Sequence, residues 1–402
     1  MKILLLCKKF PYPLKDGESI AVHTLSLALS KLGCEVSLLA MNTSKHFYAE
    51  KEYPQALAHF QRIRTVAVDN RIKPAAAFFN LFSADSYHIA RFVSPAFSAA
   101  LKAMLQQDQY DIVQLETLYL APYISIIRQY SEAIVSMRAH NVEYEIWERI
   151  TSHNTGIKRW YLQHLTDKLK RYETQALQQY DVLLPITERD LRHFRQLGSS
   201  QPAVVTPIGV SASDFEQHVS VASTQQSISF IGSLDWLPNL EGLQWFIESV
   251  WPLLHTAFPD LELHIAGRNT PKSLFQLKKP QVFVHGEVPE SAPFIQQHNL
   301  MIVPLLSGSG MRAKILEGMG LGKVILSTSI GLEGIDATHR KEVLVANTPD
   351  QFLENLTFAL SSPGQLAAIG HQARQFVFQQ YESQTIAKRL LETYSASLVE
   401  TI

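Results

Sequence analysis

The 402-residue sequence predicts an α/β protein built from two doubly wound, parallel-sheet domains. Three observations carry this expectation. Short apolar runs alternate with helix-period stretches, the pattern of strand–helix–strand units. The length exceeds what one ordinary core serves, so two domains are expected. A segment from Pro207 to about Gln226, rich in Ser, Gly and Thr, separates one strand series from the next.

The first series opens with the buried strand "KILLLC", followed by the amphipathic helix "SIAVHTLSLALSKLG", which Gly33 closes as a C-cap. "CEVSLLAM", "DIVQLE", "AIVSMRA" and "VLLPIT" continue as strands, with longer helical insertions between about Tyr87 and Gln107 and between Ile157 and Gln179. In the second series the strands are "ISFIGS", "LELHIAG", "VFVHGEV", "LMIVPLL", "KVILST" and "EVLVA". The expected domains are 1–206 and 207–382, with a last helix over 383–402 packing back on the N-terminal domain. Two such domains facing each other would bring strand C-termini to a shared cleft, where open α/β sheets bind ligands.

A net charge of −1 gives no global attraction to nucleic acid, so any anion site must be local. Two cysteines, Cys7 and Cys34, make neither a disulfide framework nor a zinc cluster. Cys7 reads as a small buried thiol, and a reducing cytoplasm fits. The first apolar run lasts six residues before Lys8 and Lys9, too short for a signal peptide or a spanning helix. A cytoplasmic protein is expected.

The chemistry concentrates in "LLSGSGMRAKILEGMGLGKVILST" (305–328). "SGSG" (307–310) is the turn leaving a buried strand, and "MRAKILEGMG" is read as the helix it feeds. Unpaired N–H groups and the helix dipole at such a start attract phosphate. Arg312 and Lys314, read in the first turn, oppose the dipole unless an anion lies nearby. Glu317 shares a face with Lys314 and could accept hydrogen bonds from two vicinal hydroxyls, as on a ribose. Gly318, Gly320 and Gly322 would each cost about 1 kcal/mol in a helix interior, which favours close packing or a short helix.

On these residues the chain resembles the retaining glycosyltransferases of family 4, which have the GT-B fold, in the subgroup with a Gly-x-Gly-x-Arg-x-Lys donor loop. The resemblance covers nearly the whole chain. It implies a nucleotide-sugar donor, UDP- or GDP-linked, and a glycan or lipid-linked acceptor in cell-surface polysaccharide biosynthesis. No further cofactor, no metal and no nucleic acid are implied. Arg312 and Lys314 would neutralise the diphosphate, Glu317 would hold the ribose, and the amides of Ser309 and Gly310 would face the sugar or its phosphate. Ser309 stands where many members carry a second glutamate, and Gly232 to Phe246 lacks the Arg and Lys that many members place there.

In "FPYPLKDGESIAVHTLSLALSKLG", Gly17 matches a glycine turn that approaches the donor phosphate. The loop is not G-x-G-x-x-G, so a dinucleotide reading loses its fingerprint. In "RAHNVEYEIW", His140 takes the role of the histidine that contacts the transferred sugar, with Glu143 and Glu145 as weaker acceptor candidates. In "HIAGRNTP" and "VFVHGEVPE", Gly267 and Arg268 would lie near the phosphate, and the backbone around Glu287 and Val288 would receive the base. Rival readings are a nucleotide-sugar epimerase and a silent scaffold of the same fold. Finally, "GIKRWYLQHLTDKLKRYETQAL" sets Trp160, Tyr161, Leu165 and Leu169 among five cations. Such a helix either lies peripherally on an anionic membrane or buries its stripe in its own domain.

Overall fold

The computed structural model describes residues 1–49, 52–216, 226–308, 310–361 and 363–401. The chain forms two compact units, Met1–Gly209 with the segment from Ser383, and Val210–Glu382. The first contains β1 (Lys2–Cys7), β2 (Glu35–Thr43), β3 (Arg62–Val68), β4 (Ile112–Leu115), β5 (Ile134–Ala139) and β6 (Val182–Pro185), in the order β3-β2-β1-β4-β5-β6. The second contains β7 (Ser227–Ile231), β8 (Glu262–Ala266), β9 (Val282–Gly286), β10 (Leu300–Val303), β11 (Val324–Ser327) and β12 (Leu344–Val345), in the order β12-β11-β10-β7-β8-β9. All pairings between these strands are parallel.

Both sheets therefore reverse winding beside their first strand, between β1 and β4 and between β7 and β10. Open α/β sheets bind ligands beyond the strand C-termini at such a switch point. β1 shows why the central strands read as unbroken apolar runs: Leu4 and Leu6 join the core on one face, Ile3, Leu5 and Cys7 the core on the other.

Some boundaries differ from expectation. β3, "RIRTVAV", is an edge strand in which Val68 alone is buried, so its polar residues hid it from an apolar-run reading. The first helix spans Gly17–Lys31 and starts two residues before "SIAV", because Asp16 caps it by accepting a hydrogen bond from the Ser19 amide at 3.0 Å. The last helix, Ser383–Thr401, packs on helix Gly17–Lys31 and places Ile386, Leu390 and Tyr394 in a core cluster with β1.

Unit 2 also carries a histidine stack, His264, His285 and His298, of which His298 is buried. His298 is 5 % exposed, lies 4.3 Å from His264 ring to ring, and contacts the Ser227 hydroxyl at 3.1 Å. Burial, with His264 and His285 nearby, pushes its pKa down to about 3 from 6.5. Below pH 6.5 the unfolded chain takes up a proton that the folded unit refuses until about pH 3. Stability is thus present above pH 6.5 and is lost as pH falls through that window, by about 2 kcal/mol at pH 5. Thermal unfolding should show the drop between pH 7.5 and pH 5, and His298→Asn should reduce its size.

Candidate functional site

In unit 2 the loop after β10 leads into helix Ala313–Gly320. Gly308 (φ +114°) and Gly310 (φ +82°) give that loop its left-handed turns. Space matters as much as torsion at Gly308, where a Cβ would sit 2.9 Å from Arg312 Nη2 and 3.2 Å from the Trp236 ring. Ser309 lies outside the described residues.

Arg312 is the N-cap of the helix, with extended backbone, rather than a member of its first turn. Its guanidinium lies 5.2 Å from the centroid of the Trp236 ring, and its Nη1 donates to the Gly310 carbonyl. As a cap it offers no acceptor, so no side chain closes the helix start from within. Lys314 does stand in the first turn and donates to Glu317 Oε2 at 2.7 Å. The Ser291 hydroxyl donates to Glu317 Oε1. Each carboxylate oxygen keeps a further acceptor site, so a diol could still be held there.

The helix glycines are explained by packing. A Cβ on Gly318 would stand 2.7 Å from the Ile325 side chain and 3.0 Å from Met301 Sδ, and one on Gly320 would press on the Phe215 ring. Gly318 lets an eight-residue helix lie close against β10 and β11, which fixes Lys314 and Glu317 relative to β10, and Gly320 makes room for Phe215. Arg268 and Val288 sit on the loops after β8 and β9, at the same sheet edge. Arg268 offers its carbonyl to the Leu234 amide at 2.9 Å. Its charge adds to the Ser233 hydrogen bond that chiefly holds the Asp235 carboxyl low.

In unit 1, His140 follows β5, is buried, and meets Glu116 Oε2 through Nε2 at 2.9 Å. Sequence reasoning missed what surrounds it. Glu116 also accepts from Gln114 Nε2 at 2.5 Å and lies 3.7 Å from Arg138 Nη1. Arg138 donates to the carbonyls of Ala21, Thr206 and Pro207. Tyr394, from the last helix, donates to Gln114 Oε1 and meets Ser136 Oγ, both at 2.7 Å. Burial alone would raise the Glu116 pKa, but Arg138 and His140 outweigh it and hold the group below its ordinary value. The carboxylate is therefore an acceptor only, and the proton on His140 stands on Nε2.

Gly17 has a different local setting from the one expected. It is the first helical residue, lacks a positive φ, and its helix end is already occupied by the Asp16 carboxylate, which Lys9 meets at 2.6 Å. Nearby, Lys8 pairs with Glu18 at 3.4 Å and lies over the Tyr119 ring, whose hydroxyl donates to Glu143 at 2.9 Å. Glu145 is tied up with Arg189 at 2.5 Å. Among the described residues no group of three or more His, Cys, Asp or Glu could hold a metal ion, and no helix is long and apolar enough to cross a membrane.

Residues 16–214 match the family described as Glycosyltransferase Family 4, and residues 225–362 the family described as Glycosyl transferases group 1. An uncharacterized 44.6 kDa protein in the cps region of Klebsiella pneumoniae is 23 % identical over 400 residues, covering 96 % of this chain and 97 % of the relative. Among solved structures, sucrose-phosphate synthase from Thermosynechococcus elongatus matches with a TM-score of 0.71 at 15 % identity, over 100 % of both chains. Anabaena HepE, solved in complex with UDP-glucose, matches with a TM-score of 0.66 at 13 % identity, over 98 % of this chain and 100 % of that one. With a family 4 region in its first half, a group 1 region in its second and two sheets of doubly wound order, the chain belongs to the glycosyltransferases of GT-B fold.

Proposed function

We propose that the protein moves a sugar, with retention, from a UDP- or GDP-linked donor to a glycan or lipid-linked acceptor in cell-surface polysaccharide biosynthesis. The observation that carries the donor reading is the helix start at Ala313, left without a side-chain cap and flanked by Arg312 and Lys314. An anion there gains from the exposed amides, the dipole and two cations together. The Klebsiella relative from a cps region supports the polysaccharide context, and HepE supports a UDP-sugar as the kind of donor.

In this reading Arg312, Lys314 and the amides near Ser309 and Gly310 stabilise charge on the departing diphosphate, the electrostatic role that supplies most of the acceleration. Glu317 accepts from the ribose hydroxyls. Arg268 and the backbone at Val288 contact the phosphate and base. His140, its Nε2 proton engaged by Glu116, contacts the transferred sugar. The acceptor hydroxyl attacks on the leaving-group face and loses its proton toward the departing phosphate oxygen. The cations above neutralise the diphosphate without a metal, so transfer should continue in EDTA.

A thermal-shift screen against UDP, GDP and common nucleotide sugars tests the proposal. A ligand held by the folded state alone raises the melting temperature, by about 2.7 kcal/mol of stabilisation at a hundredfold excess over Kd. No shift with any nucleotide would overturn the donor reading, and product analysis without acceptor separates transfer from epimerisation.

A further inference from the structure

The basic helix singled out in the sequence, Gly156–Ala176, divides along its length. Leu165 and Leu169 are buried, whereas Ile157 and Trp160 near its start are 86 % and 63 % exposed. A second helix, Pro74–Asn80, lies alongside it: Ala77, Tyr87 and Leu165 share a small core with Tyr161, and Lys168 Nζ donates to the Asn80 carbonyl at 2.5 Å. That second helix presents Phe78, Phe79 and, just beyond its end, Phe82, which are 58 %, 70 % and 81 % exposed. The Phe78 ring lies 5.9 Å from that of Phe79 and 5.8 Å from that of Phe82. Three phenylalanines clustered around Phe78 and open to water cost free energy.

Cations border the ridge. Lys158 and Arg159 are exposed between Ile157 and Trp160, while Arg71, Lys73 and Arg91 line a cavity of about 520 Å³ walled by Phe79 and Val93. Across 69–93 and 156–171 there are eight Lys and Arg against three Asp, and Arg71 and Lys73 share Asp69. The surplus is positive. A second copy docking here about a two-fold axis would set this charge against itself. An anionic bilayer supplies both an apolar layer for the rings and phosphates for the cations.

We infer that the ridge Phe78–Phe79–Phe82 with Ile157 and Trp160 inserts into the interface of an anionic membrane, with Lys158, Arg159 and the cations of the cavity on the lipid phosphates. The inference rests on the surface of unit 1 and is independent of the donor. Flotation of the full chain with phosphatidylcholine vesicles, with and without phosphatidylglycerol, tests it. Binding is expected only to the anionic vesicles and should weaken in high salt.

Phe79→Ser with Phe82→Ser should lower vesicle affinity at least about tenfold while leaving the melting temperature unchanged, because both rings are exposed. Lys158→Glu with Arg159→Glu should lower it for the anionic vesicles. Three outcomes would overturn the inference: wild-type protein that floats with neither vesicle, a double Phe variant that binds as wild type, or a wild-type dimer that the Phe variant renders monomeric.

Discussion

Lys314→Ala is expected to lower kcat by about 10²–10³-fold, the usual consequence of removing one donor aimed at developing charge. The structure makes this a clean experiment. The Lys314–Glu317 pair is partly exposed, at 38 % and 23 % of the two side chains, and such a pair contributes on the order of 1 kcal/mol or less to stability. The variant should therefore melt with wild type while failing in transfer. Its loss should fall on kcat more than on KM, because charge on the diphosphate grows as the glycosidic bond breaks. Glu317→Ala should instead fall on donor affinity, raising KM at least about tenfold through lost contacts to the ribose. Lys314→Arg should not restore full activity, since a planar fork and a compact ammonium place their protons differently. Wild-type turnover by Lys314→Ala would remove the residue from the mechanism.

How much of this was legible in the sequence depends on the range of the interactions. Central strands such as "KILLLC" and "LMIVPLL" are buried on both faces, so their apolar runs announced them. β3 lies at a sheet edge, where burial imposes little on composition, and it went unread. The Arg312–Lys314–Glu317 group was legible because all three side chains belong to one turn and its approach. That Arg312 caps the helix rather than entering it was not, since one torsion separates the two arrangements. Trp236 and Ser291 come to this group from 76 and 26 residues away in sequence, Trp236 through Arg312 and Ser291 through Glu317. The signal for Trp236 was present: a large aromatic on the loop after β7, at a switch point. Glu116 and Arg138 were hidden inside strand-like runs, "DIVQLE" and "AIVSMRA", as charges that an apolar count passes over. Tyr394 reaches Gln114 across 280 residues, a contact that no local pattern encodes.

Those hidden charges underlie the second large effect, expected for Glu116→Gln. The substitution keeps shape but leaves one acceptor where the carboxylate had two, with Gln114 Nε2 on one oxygen, His140 Nε2 on the other and Arg138 3.7 Å away. Turned toward Gln114 Nε2, its NH2 meets a donor; turned toward His140, it forces the imidazole proton from Nε2 to Nδ1. It also leaves the fully buried Arg138 guanidinium without its countercharge, held only by main-chain carbonyls. Breaking a buried pair on one side costs about 3–5 kcal/mol, which in a unit of this size lowers the melting temperature by roughly 6–20 °C. Asp108→Asn is the matched control, because Asp108 meets Arg62 at 2.8 Å on the surface and such a pair contributes about 1 kcal/mol or less. In the proposed mechanism Glu116 would position His140, so kcat should fall even at temperatures where Glu116→Gln remains folded. A variant that melts like Asp108→Asn and transfers like wild type would show that the carboxylate is neither the anchor of Arg138 nor the orienting partner of His140.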